Sequence, residues 1–116
     1  MASSVIIEFT DEFELRYLGL ETSDAAAVNH YVDLLEAKGV TLAFPYCSGI
    51  ESSKLKLREL RVQSGGRPLR VIYAFDPLRQ AVLLIGGDKT GDDRFYETFV
   101  PKAEALWIKY LAELEE

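Results

Sequence analysis

The sequence predicts an α+β fold, and three observations carry that reading. Capped helical periodicity fills residues 10–38, three strand-like runs follow between residues 55 and 85, and helical spacing returns from Arg94 to Glu116. The strand-like runs succeed one another with only tight-turn signals between them, which makes an antiparallel meander and not a βαβ unit. At 116 residues the chain, 1–116, is expected to be one domain that buries a core without disulfides or metal. Its composition, 48% hydrophobic and 28% charged, is ordinary for a globular protein.

Val5–Phe9 is a short β-rich run that ends at Thr10, whose hydroxyl is placed to accept from a free N–H of a first helical turn. Asp11, Glu12 and Glu14 then sit at the positive end of the helix dipole. Phe13, Tyr17 and Leu20 recur at helical spacing, and Gly19 ends this short helix. Thr22, Ser23 and Asp24 read as the cap of a second helix, with Val28, Tyr31, Val32 and Leu35 on its apolar face and Gly39 as its stop. The outer faces of this helical hairpin carry most of the acid.

Pro45 excludes a helix interior from LAFPYCSGI. Strands are expected at Leu55–Gln63, Leu69–Phe75 and Ala81–Ile85. SGGRP joins the first two, with glycine supplying positive φ, and DPLRQ joins the last two in a type I turn. Leu69, Val71, Tyr73 and Phe75 give the middle strand an apolar face. In the last helix Phe95, Phe99, Leu106, Trp107 and Leu111 are the packing residues, Asp92 and Asp93 the cap, and Pro101 an irregularity. The order is β-α-α-β-β-β-α, with helices on one face of a twisted antiparallel sheet and the other face or edge left for work.

Several functions are excluded early. Gly86 and Gly91 have the G-x-x-x-x-G spacing of a P-loop, but Asp92 and Asp93 stand where Lys and Ser/Thr must follow, and two carboxylates repel a triphosphate. One histidine (His30) and one cysteine (Cys47) make no metal-ligand motif and no nucleophilic triad. No cofactor is implied. The start MASSVIIEFTDEF has an early apolar run of only three residues, so neither a signal peptide nor a membrane span is expected. A lone cysteine fits a reducing cytoplasm.

Charge is unevenly distributed. The net charge is −6, yet residues 54–102 hold ten basic and six acidic residues, leaving three basic and thirteen acidic elsewhere. Within the basic stretch, Arg61 and Arg70 lie on strands that the SGGRP hairpin makes neighbours. Lys89, Arg94 and Tyr96 follow directly after the third strand. Converging at one end of the sheet, these five suit metal-free phosphodiester cleavage. Arginine grips phosphate and stabilises transition-state charge, while a lysine or tyrosine of lowered pKa takes the proton of a ribose 2′-hydroxyl. The competing reading pairs Arg61 and Arg70 with Glu59, Asp76 or Asp88 and uses Tyr96 to close the core.

Residues 55–107, from LKLRELRVQSGGRP through RVIYAFDP and GGDKTGDDRFYE to PKAEALW, closely resemble the phage-derived Gp49-like, HigB-type branch of the RelE/ParE toxin superfamily. EFTDEFELRYLGL and VDLLEAKG resemble it too. The resemblance implies the RelE/ParE-like fold and a toxin of a type II toxin–antitoxin pair, a metal-independent endoribonuclease cleaving mRNA at the ribosome. Its implied partners are mRNA, the ribosome and a cognate antitoxin of helix-turn-helix type. Arg61 matches the arginine of the family's LRELR strand. Arg70 matches that of the next strand, with one extra residue before its aromatic. Lys89, Arg94 and Tyr96 match the basic and tyrosine positions after the last strand. Lys54 and Lys56 resemble the lysines preceding LRELR and, with Arg58 and Arg67 of the same basic stretch, are the candidate RNA contacts. The same fold serves ParE-type toxins that bind gyrase and cut nothing, and inactive relatives could persist as repressor subunits.

Overall fold

Strand pairing is organised by a two-residue turn. Gly65 and Gly66 both take positive φ, 57° and 77°, the backbone a tight hairpin needs and glycine adopts without steric cost. The turn joins β3 (Arg58–Ser64) to β4 (Arg67–Phe75) with Arg61 opposite Arg70. The next turn is held by Asp76, whose Oδ1 accepts from the backbone N–H of Leu78 at 2.9 Å and of Gln80 at 2.8 Å. It leads into β5 (Ala81–Asp88). This is the expected meander, with β3 starting later and β5 running further than the sequence pattern indicates.

The computed structural model, which describes residues 4–115, adds two edges to the meander. β1 (Ile7–Phe9) flanks β5 and β2 (Cys47–Gly49) flanks β3, giving the order β1-β5-β4-β3-β2. β1 runs parallel to β5, so the sheet is mixed and not wholly antiparallel. The reason is topological. The meander leaves one edge of β5 open, and the two helices after β1 carry the chain across to the far edge, where β2 begins. β2 has no signature in the sequence, because three residues reading CSG do not favour a strand. It exists through its backbone pairing with Arg58–Leu60.

Helices cover both faces of the sheet, which corrects the one-face expectation. α1 (Asp11–Leu18) and α2 (Thr22–Lys38) pack Phe13, Val28 and Leu35 against Leu60, Val62, Val71, Tyr73 and Leu83. α3 (Phe95–Leu114) packs Val100, Ala103 and Trp107 against Ile72, Ala74, Val82, Leu84 and Ile85. The cause lies in β4 and β5, which read VIYA and AVLLI and are apolar at both parities, so each side must be covered. A bulge where Ile72 pairs with Ile85 but Tyr73 with Leu83 turns both Leu84 and Ile85 towards α3.

Thr10 caps α1 as its sequence predicts, accepting from the Phe13 N–H at 3.0 Å. Gly39 ends α2 at φ 56°, where an added Cβ would lie 2.8 Å from Val5. The expected Thr22–Ser23–Asp24 cap does not form. Glu21 holds the cap position without a side-chain bond, and Asp24 is buried beneath α2 against Ser64 and Arg67. Asp92 accepts from the Arg94 N–H at 3.0 Å just ahead of α3, and Pro101 lies inside that helix without ending it. Glu116, the expected last helical residue, falls outside the described residues. Among the described residues no helix is long and apolar enough to cross a membrane.

Candidate active site

Side chains alternate between faces along a strand, so Glu59, Arg61 and Arg70 share the α3 side of the sheet with Ile72 and Ala74. Arg61 and Arg70 are direct cross-strand partners. Two arginines so placed repel unless something compensates them. Glu59 supplies the compensation. Its Oε1 lies 3.5 Å from Arg70 Nε, with both side chains about 5% exposed or less. Arg70 also donates from Nη1 to the Leu69 carbonyl at 3.1 Å, while its buried Nε makes no aligned hydrogen bond.

The first turn of α3 completes the cluster. Tyr96 donates its hydroxyl hydrogen to Glu59, 2.8 Å from Oε1 and 3.0 Å from Oε2, and Ser48 of β2 donates to Oε2 at 3.2 Å. Gly87 is what lets α3 sit so close. A Cβ there would lie 2.7 Å from the Phe99 ring and 3.0 Å from Phe95. Gly91, at φ 65°, turns the loop that leads from Lys89 into the helix. Lys89 reaches back over the Tyr96 ring, with Nζ 5.0 Å from its centroid. GGDKTGDDRFYE is therefore the segment that seats Lys89 and Tyr96 beside the β3–β4 arginines.

Burial, and then the Glu59 carboxylate that accepts from it, push the Tyr96 hydroxyl above its ordinary pKa. Tyr96 is thus a protonated donor at neutral pH. The expectation of a tyrosine base with lowered pKa is corrected. Glu59 is the group that sequence reasoning undervalued, having entered only as an ion-pair partner. Its signal was available: a glutamate inside LRELR, two residues from Arg61, necessarily shares the face of that arginine.

The other expected site residues are placed variously. Arg61 lies half-buried, with its guanidinium 5.1 Å from the centroid of the Phe44 ring. Arg94 is 81% exposed and pairs at 3.8 Å with Glu97, away from the Glu59 cluster's bonds. Lys54 and Lys56 are exposed in the loop before β3. Arg58 and Arg67 project to the opposite side of the sheet, because their strand positions have the other parity. Arg58 donates to Cys47 Sγ at 3.4 Å, and Arg67 forks between Asp24 and Asp88. Arg58 and Arg67 therefore lie on the opposite face of the sheet from Arg61, and Lys56 lines a cavity with Arg58. His30 is exposed on α2 and Cys47 is buried.

The family model described as "Phage derived protein Gp49-like" matches residues 17–107, which span every residue of this cluster. The chain belongs to the Gp49-like family. Two relatives in Mycobacterium tuberculosis are curated under the names "Putative toxin HigB3" and "Putative toxin HigB2". The chain is 37% identical to the first over 103 residues, covering 87% of this chain and 89% of the relative. It is 33% identical to the second over 101 residues, covering 84% of this chain and 50% of that relative. The HigB-type resemblance therefore extends well beyond the motif-bearing half.

Proposed function

We propose that this Gp49-like chain is the toxin of a type II toxin–antitoxin pair, held inactive by a cognate antitoxin of helix-turn-helix type. We infer that it is a metal-independent endoribonuclease that cleaves mRNA in the translating ribosome. The supporting observation is the Tyr96–Glu59 hydrogen bond, with Arg70 paired to Glu59, Lys89 over the Tyr96 ring and Arg61 across the strands from Arg70. The two relatives' toxin names add to it.

In this reading the 2′-hydroxyl of the RNA attacks the adjacent phosphorus and expels the 5′-oxygen, leaving a 2′,3′-cyclic phosphate and a 5′-hydroxyl. The 2′-hydroxyl proton passes to Tyr96 Oη as the Tyr96 proton moves to Glu59, so the carboxylate is the final base. Neutralising Glu59 releases the charge of Arg70 from its partner at the moment negative charge grows on the phosphate. Arg61 holds a phosphate oxygen, and the Lys89 ammonium protonates the departing 5′-oxygen. Arg94, Lys54 and Lys56 contribute positive charge at the rim.

A non-enzymatic reading, in which the chain binds gyrase or another protein, draws on the burial of Arg70, which is 4% exposed. Induction in a bacterium, alone and with the adjacent reading frame, separates the two. RNA cleavage predicts growth arrest with new 5′ ends inside translated frames, lost in Arg61→Ala and suppressed by the neighbour. Arrest without new 5′ ends overturns the nuclease reading.

A further inference from the structure

Phe44 is an anomaly beside the cluster. Its ring is 70% exposed, and the neighbouring Tyr46 is 45% exposed. Isolated exposed apolar residues are common and need no function. This one differs because Arg61, a half-buried arginine rooted in a central strand, lays its guanidinium against the ring at 5.1 Å. The segment bearing Phe44 is also fixed to that same residue. The Arg61 N–H donates to the Tyr46 carbonyl at 2.8 Å, and the Tyr46 N–H donates to the Ala43 carbonyl at 3.0 Å. The ring is therefore held in register with the phosphate-gripping arginine instead of swinging on a loose loop.

An arginine stacked on one aromatic ring, with most of that ring open to solvent, is the arrangement that takes an unpaired nucleobase. The base stacks on the ring, and the guanidinium reaches the phosphate joined to it. Duplexed bases cannot use such a surface, because their faces are already stacked on neighbours.

We propose that Phe44 and Arg61 form a nucleobase-stacking subsite for single-stranded RNA, flanking the phosphate held at the Glu59 cluster. The proposal rests on the nuclease reading above and names the substrate form it accepts.

The test is a fluorescence titration of a short single-stranded oligoribonucleotide carrying 2-aminopurine, up to millimolar protein, run beside the in-cell mapping of cut sites. Wild type should quench the probe, Phe44→Ala should weaken binding roughly tenfold, and Phe44→Trp should keep it. A duplex carrying the same probe should bind more weakly than the single strand. In cells, Phe44→Ala should lower cleavage and alter the base preference next to the cut, while leaving the melting temperature close to wild type.

Equal quenching by wild type and Phe44→Ala overturns the subsite even if RNA is cut. Quenching that depends on Phe44 without any cleavage supports the subsite and removes the nuclease reading. No quenching by wild type at any concentration overturns the subsite directly.

Discussion

Two ion-pair clusters sit on opposite faces of the same β3–β4 hairpin, and their stoichiometry differs. On the α1–α2 face, Arg67 is shared by two carboxylates, Asp24 and Asp88, and Ser64 donates to Asp24 at 2.7 Å. There the one cation is bonded to both anions, and acid is in excess. On the α3 face a single carboxylate, Glu59, answers Arg70, while Arg61 lies directly across the strands and Lys89 lies over Tyr96. There base is in excess. The first cluster ties the start of α2 to the hairpin end and the tip of β5. The second has an excess of positive charge around the Tyr96–Glu59 hydroxyl–carboxylate pair. Ion pairs alone do not mark a site; an excess of cations around a partly buried hydroxyl–carboxylate pair is the arrangement that suits an anionic substrate.

The largest expected break in that comparison is Glu59→Gln. In the proposed reaction this removes the final proton acceptor, so cleavage should fall at least about 10²-fold. Arg70 is left buried without its counter-charge, which should cost on the order of 3 kcal/mol in urea unfolding. Cleavage that persists in a folded Glu59→Gln protein would remove Glu59 from the mechanism.

Asp24→Asn tests the opposite face and should act on stability alone. Its melting temperature should drop modestly, with cut sites and rates unchanged. The Arg67 guanidinium holds the Asp24 carboxyl below its ordinary pKa, and the Thr90 bonds together with Arg67 do the same for Asp88. A carboxyl depressed by folding contributes its full stability above its unfolded value, about pH 4, and loses it as pH falls through the lower folded value. Thermal melts between pH 6 and pH 2.5 should therefore steepen below about pH 4 in wild type and less so in Asp24→Asn. Parallel curves would show that this pair contributes nothing.

The smallest effect should come from Arg94→Ala. An 81% exposed side chain paired loosely at 3.8 Å adds little to stability. Cleavage should fall less than about tenfold, and a complete loss would return Arg94 to the centre of the site.

The sequence made the hairpin legible because glycine pairs have few other uses between two β-rich runs. It also made the neighbourship of Arg61 and Arg70 legible, because the turn fixes their register. Face assignment was less accessible. Arg70, Ile72 and Ala74 look like the outer side of a half-buried strand until α3 is known to cover them. Asp24 looks like a helix cap because Thr-Ser-Asp is good capping chemistry, and only the position of Arg67 across the fold shows why it turns inward. Phe44 gave no signal at all, since its meaning lies in which arginine reaches it. The parallel β1 was hidden for the same reason, as three residues cannot announce their partner strand.

The most direct measurement compares Tyr96→Phe with Asp24→Asn during induction, mapping new mRNA 5′ ends in each. Removing one hydroxyl leaves the Glu59–Arg70 pair intact but interrupts the proton path. Tyr96→Phe should be folded and produce almost no cuts, while Asp24→Asn cuts like wild type. Wild-type cutting by Tyr96→Phe would contradict the assignment of the α3-face cluster as the catalytic site.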